Sequence, residues 1–132
     1  MINKDRLVKR FMDYVKISSE TGNEKEFSDL IVKELKELGL EVKRDKAGEK
    51  IGSNSNNIYC YLDGKGDKSR IYSAHMDTVK PGIGINPVIE DGFIKSSGDT
   101  ILGGDDKAGI SVVMEALTTI KEQDITHNPI EI

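Results

Sequence analysis

The apolar residues of this chain follow two different periods, and the change between them constrains the fold more than any other feature. Over residues 4–17 and 22–38 they recur every three to four positions, which is typical of helices packed on one face. From Leu40 the pattern alternates, and residues 57–62 are rich in β-forming side chains, which predicts strands. A third helical stripe covers residues 106–121. This succession predicts an α/β fold in which helices flank a mixed β-sheet.

Local signals at the element boundaries give finer predictions. Thr21 and Glu24 have the spacing of a capping box at the start of the second helix. Residues 46–57 are polar and contain several glycines and serines, which predicts a loop. Residues 70–74 resemble a short buried strand that delivers His75 at its carboxyl end, the edge where open α/β sheets place their active sites.

Two further segments predict strands. Asp91-Gly92 stands between two short apolar runs within residues 86–97, which predicts a hairpin with a tight mirror-image turn. Residues 130–132, which follow a proline, resemble the opening of another strand. A strand that has only begun where the sequence ends is expected if the polypeptide continues, although a short terminal strand would look similar.

Composition excludes several classes of function. The 132 residues are enough for one ordinary domain. The net charge of −4 argues against nucleic-acid binding, which requires a basic surface. No apolar run has the length of a membrane span, and residues 1–6 lack the apolar core of a signal peptide. The single cysteine, Cys60, lies in a predicted strand, excludes an intrachain disulfide and is expected to be a small buried residue. Together these features favour a cytoplasmic protein.

Two segments carry the chemistry. His75-Met76-Asp77 offers an imidazole, which zinc accepts as a ligand, and a carboxylate that can hold the ring from behind. Asp105-Asp106-Lys107 opens the third helix between glycines that allow close approach of the backbone. Each segment also has a simpler interpretation, the first as a hydrogen-bonded histidine and the second as acidic residues that cap a helix or complement its dipole.

Taken together, the two segments resemble a known family. The sequence from Tyr72 to Val79, followed by Gly103-Gly104-Asp105-Asp106-Lys107-Ala108-Gly109, is similar to the M20 metallopeptidases. The spacing and residues 100–103 are most similar to the peptidase T (tripeptide aminopeptidase) branch, and Thr21-Gly22-Asn23-Glu24 also fits. The fold implied is the N-terminal half of a zinc-peptidase catalytic domain, of the phosphorylase/hydrolase-like type.

The resemblance implies a role for each matching residue. His75 would be a ligand of one zinc ion, and Asp105 would bridge two. Asp77, the catalytic residue implied within this chain, would orient the His75 imidazole without touching metal. The peptide bond between Asp105 and Asp106 would be cis, and Lys107 and Gly109 would shape the loop and the helix start. No residue is implied to bind another cofactor.

The resemblance also implies parts that this sequence lacks. A complete enzyme of this type uses a Glu-Glu pair, a further Asp, a second His and a dimerisation domain, and no Glu-Glu pair occurs here. Residues 1–132 would therefore be a partial catalytic domain that holds its two zinc ions weakly or not at all and is inactive alone. The substrate would be a small peptide, and a complete homodimeric enzyme is compatible with the resemblance. The alternative is a non-catalytic remnant or partner-binding module with the same fold.

Overall fold

The computed structural model describes residues 1–132 and contains a four-stranded sheet, a separate two-stranded hairpin and four helices. In chain order the elements are α1 (Lys4–Lys16), α2 (Lys25–Glu37), β1 (Glu41–Arg44), α3 (Ala47–Ile51), β2 (Ile58–Leu62), β3 (Arg70–Ile71), β4 (Pro87–Glu90), β5 (Phe93–Ser96), α4 (Gly104–Glu122) and β6 (Ile130–Glu131). None of the helices has both the length and the apolar character needed to cross a membrane. The predicted α/β class with a mixed sheet is confirmed.

The four-stranded sheet has the order β1-β2-β6-β3. β1 and β6 run antiparallel to β2, whereas β3 runs parallel to β6 at the edge of the sheet. Ile132 extends β6, since its backbone exchanges two hydrogen bonds of 2.9 Å with Cys60. The last residues of the chain therefore fill the gap between β2 and β3.

The core lies between the helices and one face of this sheet. α1, α2 and α4 supply apolar side chains at the predicted helical spacing, and β2 and β6 supply the inward residues of the sheet. The rings of Tyr14 and Phe27 meet edge to face, with centroids 5.2 Å apart. Cys60 is buried, as expected of a small core residue. The core residues are Tyr14, Phe27, Ile31, Leu35, Leu40, Cys60, Leu62, Ile110, Met114, Leu117 and Ile130.

The opposite face of the sheet is open. Tyr59 and Tyr61 of β2 are about half exposed, and Ile71 of β3 is 73% exposed. The prediction of a buried strand over residues 70–74 is therefore wrong, because β3 covers only Arg70–Ile71 and has a neighbouring strand on one side only. The apolar residues of this segment belong to a strand that no second layer of structure covers.

The capping box predicted for α2 is also wrong. The helix begins at Lys25, and its first residues receive no hydrogen bond from the Thr21 side chain. The Thr21 hydroxyl donates instead to Asp77, and the Glu24 carboxylate accepts from the Gly22 amide at 2.6 Å and from the Ser53 hydroxyl at 2.7 Å. The two side chains therefore bond to Asp77, to Ser53 and to the nearby Gly22 amide, and not to each other's backbone amides.

Residues 46–57 contain a short helix where a loop was predicted. α3 follows Asp45, whose carboxylate accepts from the Ala47 amide at 3.0 Å, and it ends at Gly52 in the left-handed conformation.

The predicted hairpin is confirmed: Asp91 (φ 51°) and Gly92 (φ 80°) both adopt the positive φ of a mirror-image turn. The strand at Ile130–Glu131 is confirmed as well.

Candidate functional site

His75 lies between two carboxylates at the point where the chain leaves the sheet edge. Its Nδ1 is 3.1 Å from Oδ1 of Asp77 and 2.9 Å from the Asp77 carbonyl oxygen. Its Nε2 is 3.0 Å from Oδ1 of Asp105, a residue 30 positions later in the sequence. The structure thus brings together the three residues singled out from the sequence.

The surroundings of His75 favour its charged form. Partial burial lowers the pKa of the imidazole, but hydrogen bonds with Asp105 and Asp77 outweigh this effect and raise the pKa above its ordinary value. Because a metal ion binds only the neutral ring, protons and metal would compete for Nε2.

Asp77 uses both carboxylate oxygens. Oδ1 faces the His75 ring, and Oδ2 accepts a hydrogen bond of 2.6 Å from the Thr21 hydroxyl. The bond from Thr21, opposed by partial burial and assisted by His75, lowers the pKa of Asp77. Thr21 is a site residue that the sequence reasoning missed. Its signal was present in Thr21-Gly22-Asn23-Glu24, but it was interpreted as part of a helix cap.

Asp105 is held by its backbone while its side chain projects into solvent. Gly103 adopts a left-handed conformation (φ 74°), Asp105 has non-helical torsions (φ −92°, ψ 106°), and the Asp105–Asp106 peptide bond is cis. The Asp105 side chain is 94% exposed. The local backbone therefore turns this carboxylate out of the helix and toward His75.

Asp106, and not Asp105, caps the regular part of α4. Its Oδ1 accepts a hydrogen bond of 3.2 Å from the Gly109 amide. A Cβ at position 109 would lie 2.3 Å from that oxygen, so glycine is needed for this contact. The alternative in which Asp105 is an ordinary N-cap is excluded by this geometry, and the Asp105 carboxylate is free of any helix amide.

Lys107 is fully buried beneath the site. Its Nζ donates a hydrogen bond of 2.5 Å to the Ile17 carbonyl and lies 4.6 Å from the centroid of the Phe27 ring. Burial lowers the pKa of Lys107 to about 8. The first regular turn of α4 is therefore anchored to the end of α1.

The donor set fits one side of a zinc site. Zinc bonds of about 2.0–2.1 Å to nitrogen and oxygen place two ligand atoms of a tetrahedral ion about 3.3 Å apart. Nε2 of His75 and Oδ1 of Asp105 are 3.0 Å apart, and the exposed Asp105 side chain can rotate by the small amount needed. No cluster of three or more His, Cys, Asp or Glu side chains arranged to hold a metal ion occurs in the structure.

A groove of about 860 Å³ adjoins the site. His75 and Asp77 line it together with aromatic and aliphatic side chains, among them Tyr59, Tyr61 and Ile71. Asp105 is not among its lining residues and meets His75 from outside. The imidazole thus stands between an apolar surface and an exposed carboxylate.

Known proteins resemble this chain over nearly its whole length. No protein-family model matches the chain. The uncharacterized protein YqjE of Bacillus subtilis is 42% identical over 132 residues, which are 99% of this chain and 36% of that protein.

Solved structures give the same result in three dimensions. A tripeptidase from Staphylococcus aureus superposes with a TM-score of 0.94 at 42% identity, over 99% of this chain and 36% of that one. The aminopeptidase PepT from Bacillus cereus superposes with a TM-score of 0.94 at 43% identity, over 98% of this chain and 35% of that one. The resemblance to peptidase T-like enzymes, expected from the two motifs, is confirmed. The chain spans about a third of the length of these relatives.

Proposed function

We propose that this chain is the part of a zinc-dependent peptidase that supplies His75, Asp77 and Asp105 to a dinuclear metal site. The complete enzyme would hydrolyse small peptides of the tripeptide type and release the N-terminal residue. The observation that carries the proposal is the 3.0 Å approach of His75 Nε2 to Asp105 Oδ1, made by two segments 30 residues apart, with Asp77 behind the ring. The tripeptidase and PepT names of the similar structures support the substrate class.

Each side chain has a distinct task under this proposal. His75 Nε2 would bind one ion, and Asp77 at Nδ1 would hold the proton on the far side of the ring so that the lone pair of Nε2 points outward. Asp105, with an almost fully exposed carboxylate, would bind both ions. Bound zinc would polarise the scissile carbonyl and lower the pKa of the attacking water.

The chain alone is proposed to be catalytically inactive. A catalytic zinc uses about three protein ligands, and His75 with Asp105 would give one ion two ligands and the other ion one. No Glu-Glu pair is present to provide a general base, a group whose loss costs about 10²–10⁴-fold in rate. Tripeptide hydrolysis is therefore expected only when the remaining ligands are supplied.

A chimera tests the function directly. The segment of Bacillus cereus PepT that aligns with this chain would be replaced by residues 1–132, and tripeptide hydrolysis would be measured with zinc present. We expect activity in the chimera, none in the chain alone, and a loss of at least about 10³-fold on His75→Ala, because a metal ligand disappears. His127→Ala, which removes the other histidine, is the matched control and should leave the rate unchanged. A folded chimera that is inactive, or one that tolerates His75→Ala, would contradict the proposal.

Zinc-dependent stability separates this function from the non-catalytic alternative. A ligand that binds the folded chain at ten times its dissociation constant adds about 1.4 kcal/mol to the free energy of unfolding. We expect zinc to raise the melting temperature of the chain at pH 8, and magnesium at equal concentration to have no such effect. The absence of any zinc effect, together with an inactive chimera, would favour a remnant or partner-binding module.

A further inference from the structure

The linker between α1 and α2 contacts the segment that carries His75 and Asp77. Its residues 19–21 run alongside residues 76–78 as a short parallel bridge: the Thr78 amide donates to the Ser19 carbonyl at 2.9 Å, and the Thr21 amide donates to the Thr78 carbonyl at 3.2 Å. The Ser19 hydroxyl, fully buried, donates to the Met76 carbonyl at 2.8 Å. The backbone on both sides of Asp77 is thereby fixed.

The same linker also contacts the segment that carries Asp105. The Ile17 carbonyl, at its first residue, accepts the hydrogen bond from Nζ of Lys107. Lys107 follows Asp105 by two residues and is itself fully buried. Residues 17–21 therefore form hydrogen bonds with both segments of the candidate metal site, although these two segments are far apart in the sequence.

We infer that the linker of residues 17–21 sets the relative position of the two metal-binding segments, and that Thr21 is a positioning residue that orients His75 through Asp77. The inference rests on the proposed function for the presence of a metal ion, whereas the arrangement of the residues rests on the hydrogen bonds of the structure. Thr21 forms no hydrogen bond with His75 or Asp105 and is not a catalytic residue; it acts through one oxygen of Asp77.

The hydroxyl of Thr21 restricts the rotation of the Asp77 carboxylate. With Oδ2 bonded to Thr21 at 2.6 Å, Oδ1 is directed at Nδ1 of the imidazole. Without the hydroxyl, the Asp77 side chain, which is one-third exposed, can turn to water and leave Nδ1 with the backbone carbonyl alone. Loss of an outer contact of this kind typically costs about 10–100-fold in metal affinity.

Zinc titration of the intact 132-residue chain tests the inference. Thr21→Val removes the hydroxyl at nearly constant shape, Thr21→Ser restores it, and Thr126→Val at another exposed threonine is the matched control. We expect calorimetry with zinc alone to show a 10–100-fold weaker affinity for Thr21→Val and values within about threefold of the original for the other two. Equal zinc affinities for Thr21→Val and the original chain would overturn the inference. Because Thr21 is exposed, all variants should retain their circular dichroism spectrum and melting temperature.

A metal-free measurement keeps this test separate from that of the proposed function. At alkaline pH, the ¹⁵N shifts of the neutral His75 ring should show a preference for the tautomer protonated on Nδ1 in the original chain and in Thr21→Ser, because Nδ1 faces two oxygens of Asp77 whereas Nε2 faces the exposed Asp105 carboxylate alone. Thr21→Val should contain a larger fraction of the tautomer protonated on Nε2, because Nδ1 keeps only the Asp77 carbonyl as an acceptor while Nε2 keeps Asp105. The His127 ring signals should stay constant. If the chain takes up no zinc, the metal site fails and this measurement alone decides the role of Thr21. An unchanged His75 ring in Thr21→Val would then refute it.

Discussion

The segments that carry His75 and Asp105 reach the same site but are held there by different interactions. The His75 segment depends on hydrogen bonds from the α1–α2 linker, and one of them, from Thr21, lies at the surface. The Asp105 segment depends on the buried Lys107 side chain and on the packing of α4. The first segment is fixed by backbone and side-chain hydrogen bonds from a linker, whereas the second is fixed as part of the core.

This difference separates stability from metal affinity. Substitutions beneath Asp105 should disturb the core and lower the free energy of unfolding. Removal of one partner of a buried hydrogen bond is costly, because the other partner is left without a bond. Changes around His75 should mainly alter the direction of one ring. Substitutions in the two segments should therefore separate the two effects, and the largest loss of stability is expected under Asp105.

Replacement of Lys107 should have the largest effect. Lys107→Ala removes the packing on Phe27 and leaves the Ile17 carbonyl without its donor, so we expect a loss of about 2–4 kcal/mol in urea denaturation. Lys107→Met keeps most of the packing and should cost about 1–2 kcal/mol. If Lys107→Ala cost no more than Thr21→Val, the two segments would not differ in the way described.

Acid should loosen the attachment of α4 to α1. Arg6 donates to both oxygens of Glu115, at 2.7 and 2.9 Å, and the Glu115 side chain is 1% exposed. These bonds, opposed by burial, hold the pKa of Glu115 below its ordinary value of about 4.5. A carboxylate with a lowered pKa adds stability above its unfolded pKa, and this stability is lost as the pH falls through the folded pKa.

Glu115→Gln isolates this contribution. We expect a loss of about 1.5–3 kcal/mol at pH 7, because a charge-assisted pair is broken. As the pH falls below about 4.5 and through the lowered pKa of Glu115, the original chain should lose more stability than the variant, so that the difference between the two urea curves shrinks. Parallel pH profiles for the two proteins would show that the pair does not hold α4.

The sequence identified three residues that the structure brings together, but it did not identify the contacts that hold them there. Helical stripes and β-rich runs gave the helices and most strands, because burial of one face imposes its period directly on the residues. The partners of Thr21 and the burial of Lys107 depend on contacts between segments 56 and 90 residues apart, and no local period records such contacts. The exposure of β3 was missed for a similar reason, since strand order is a property of the whole sheet.

Removal of the Asp105 side chain should have the smallest effect on stability. This carboxylate is 94% exposed, and its contact with His75 is a surface ion pair of the kind that contributes about 0–1 kcal/mol. We expect Asp105→Ala to change the free energy of unfolding by less than about 0.5 kcal/mol while weakening zinc binding at least about 10-fold, because one of two ligands is gone. Urea denaturation and calorimetry of the same preparation measure both quantities. A variant that loses more than about 1 kcal/mol but binds zinc normally would make Asp105 a structural partner of His75. In that case the 3.0 Å contact would not be evidence for a metal site.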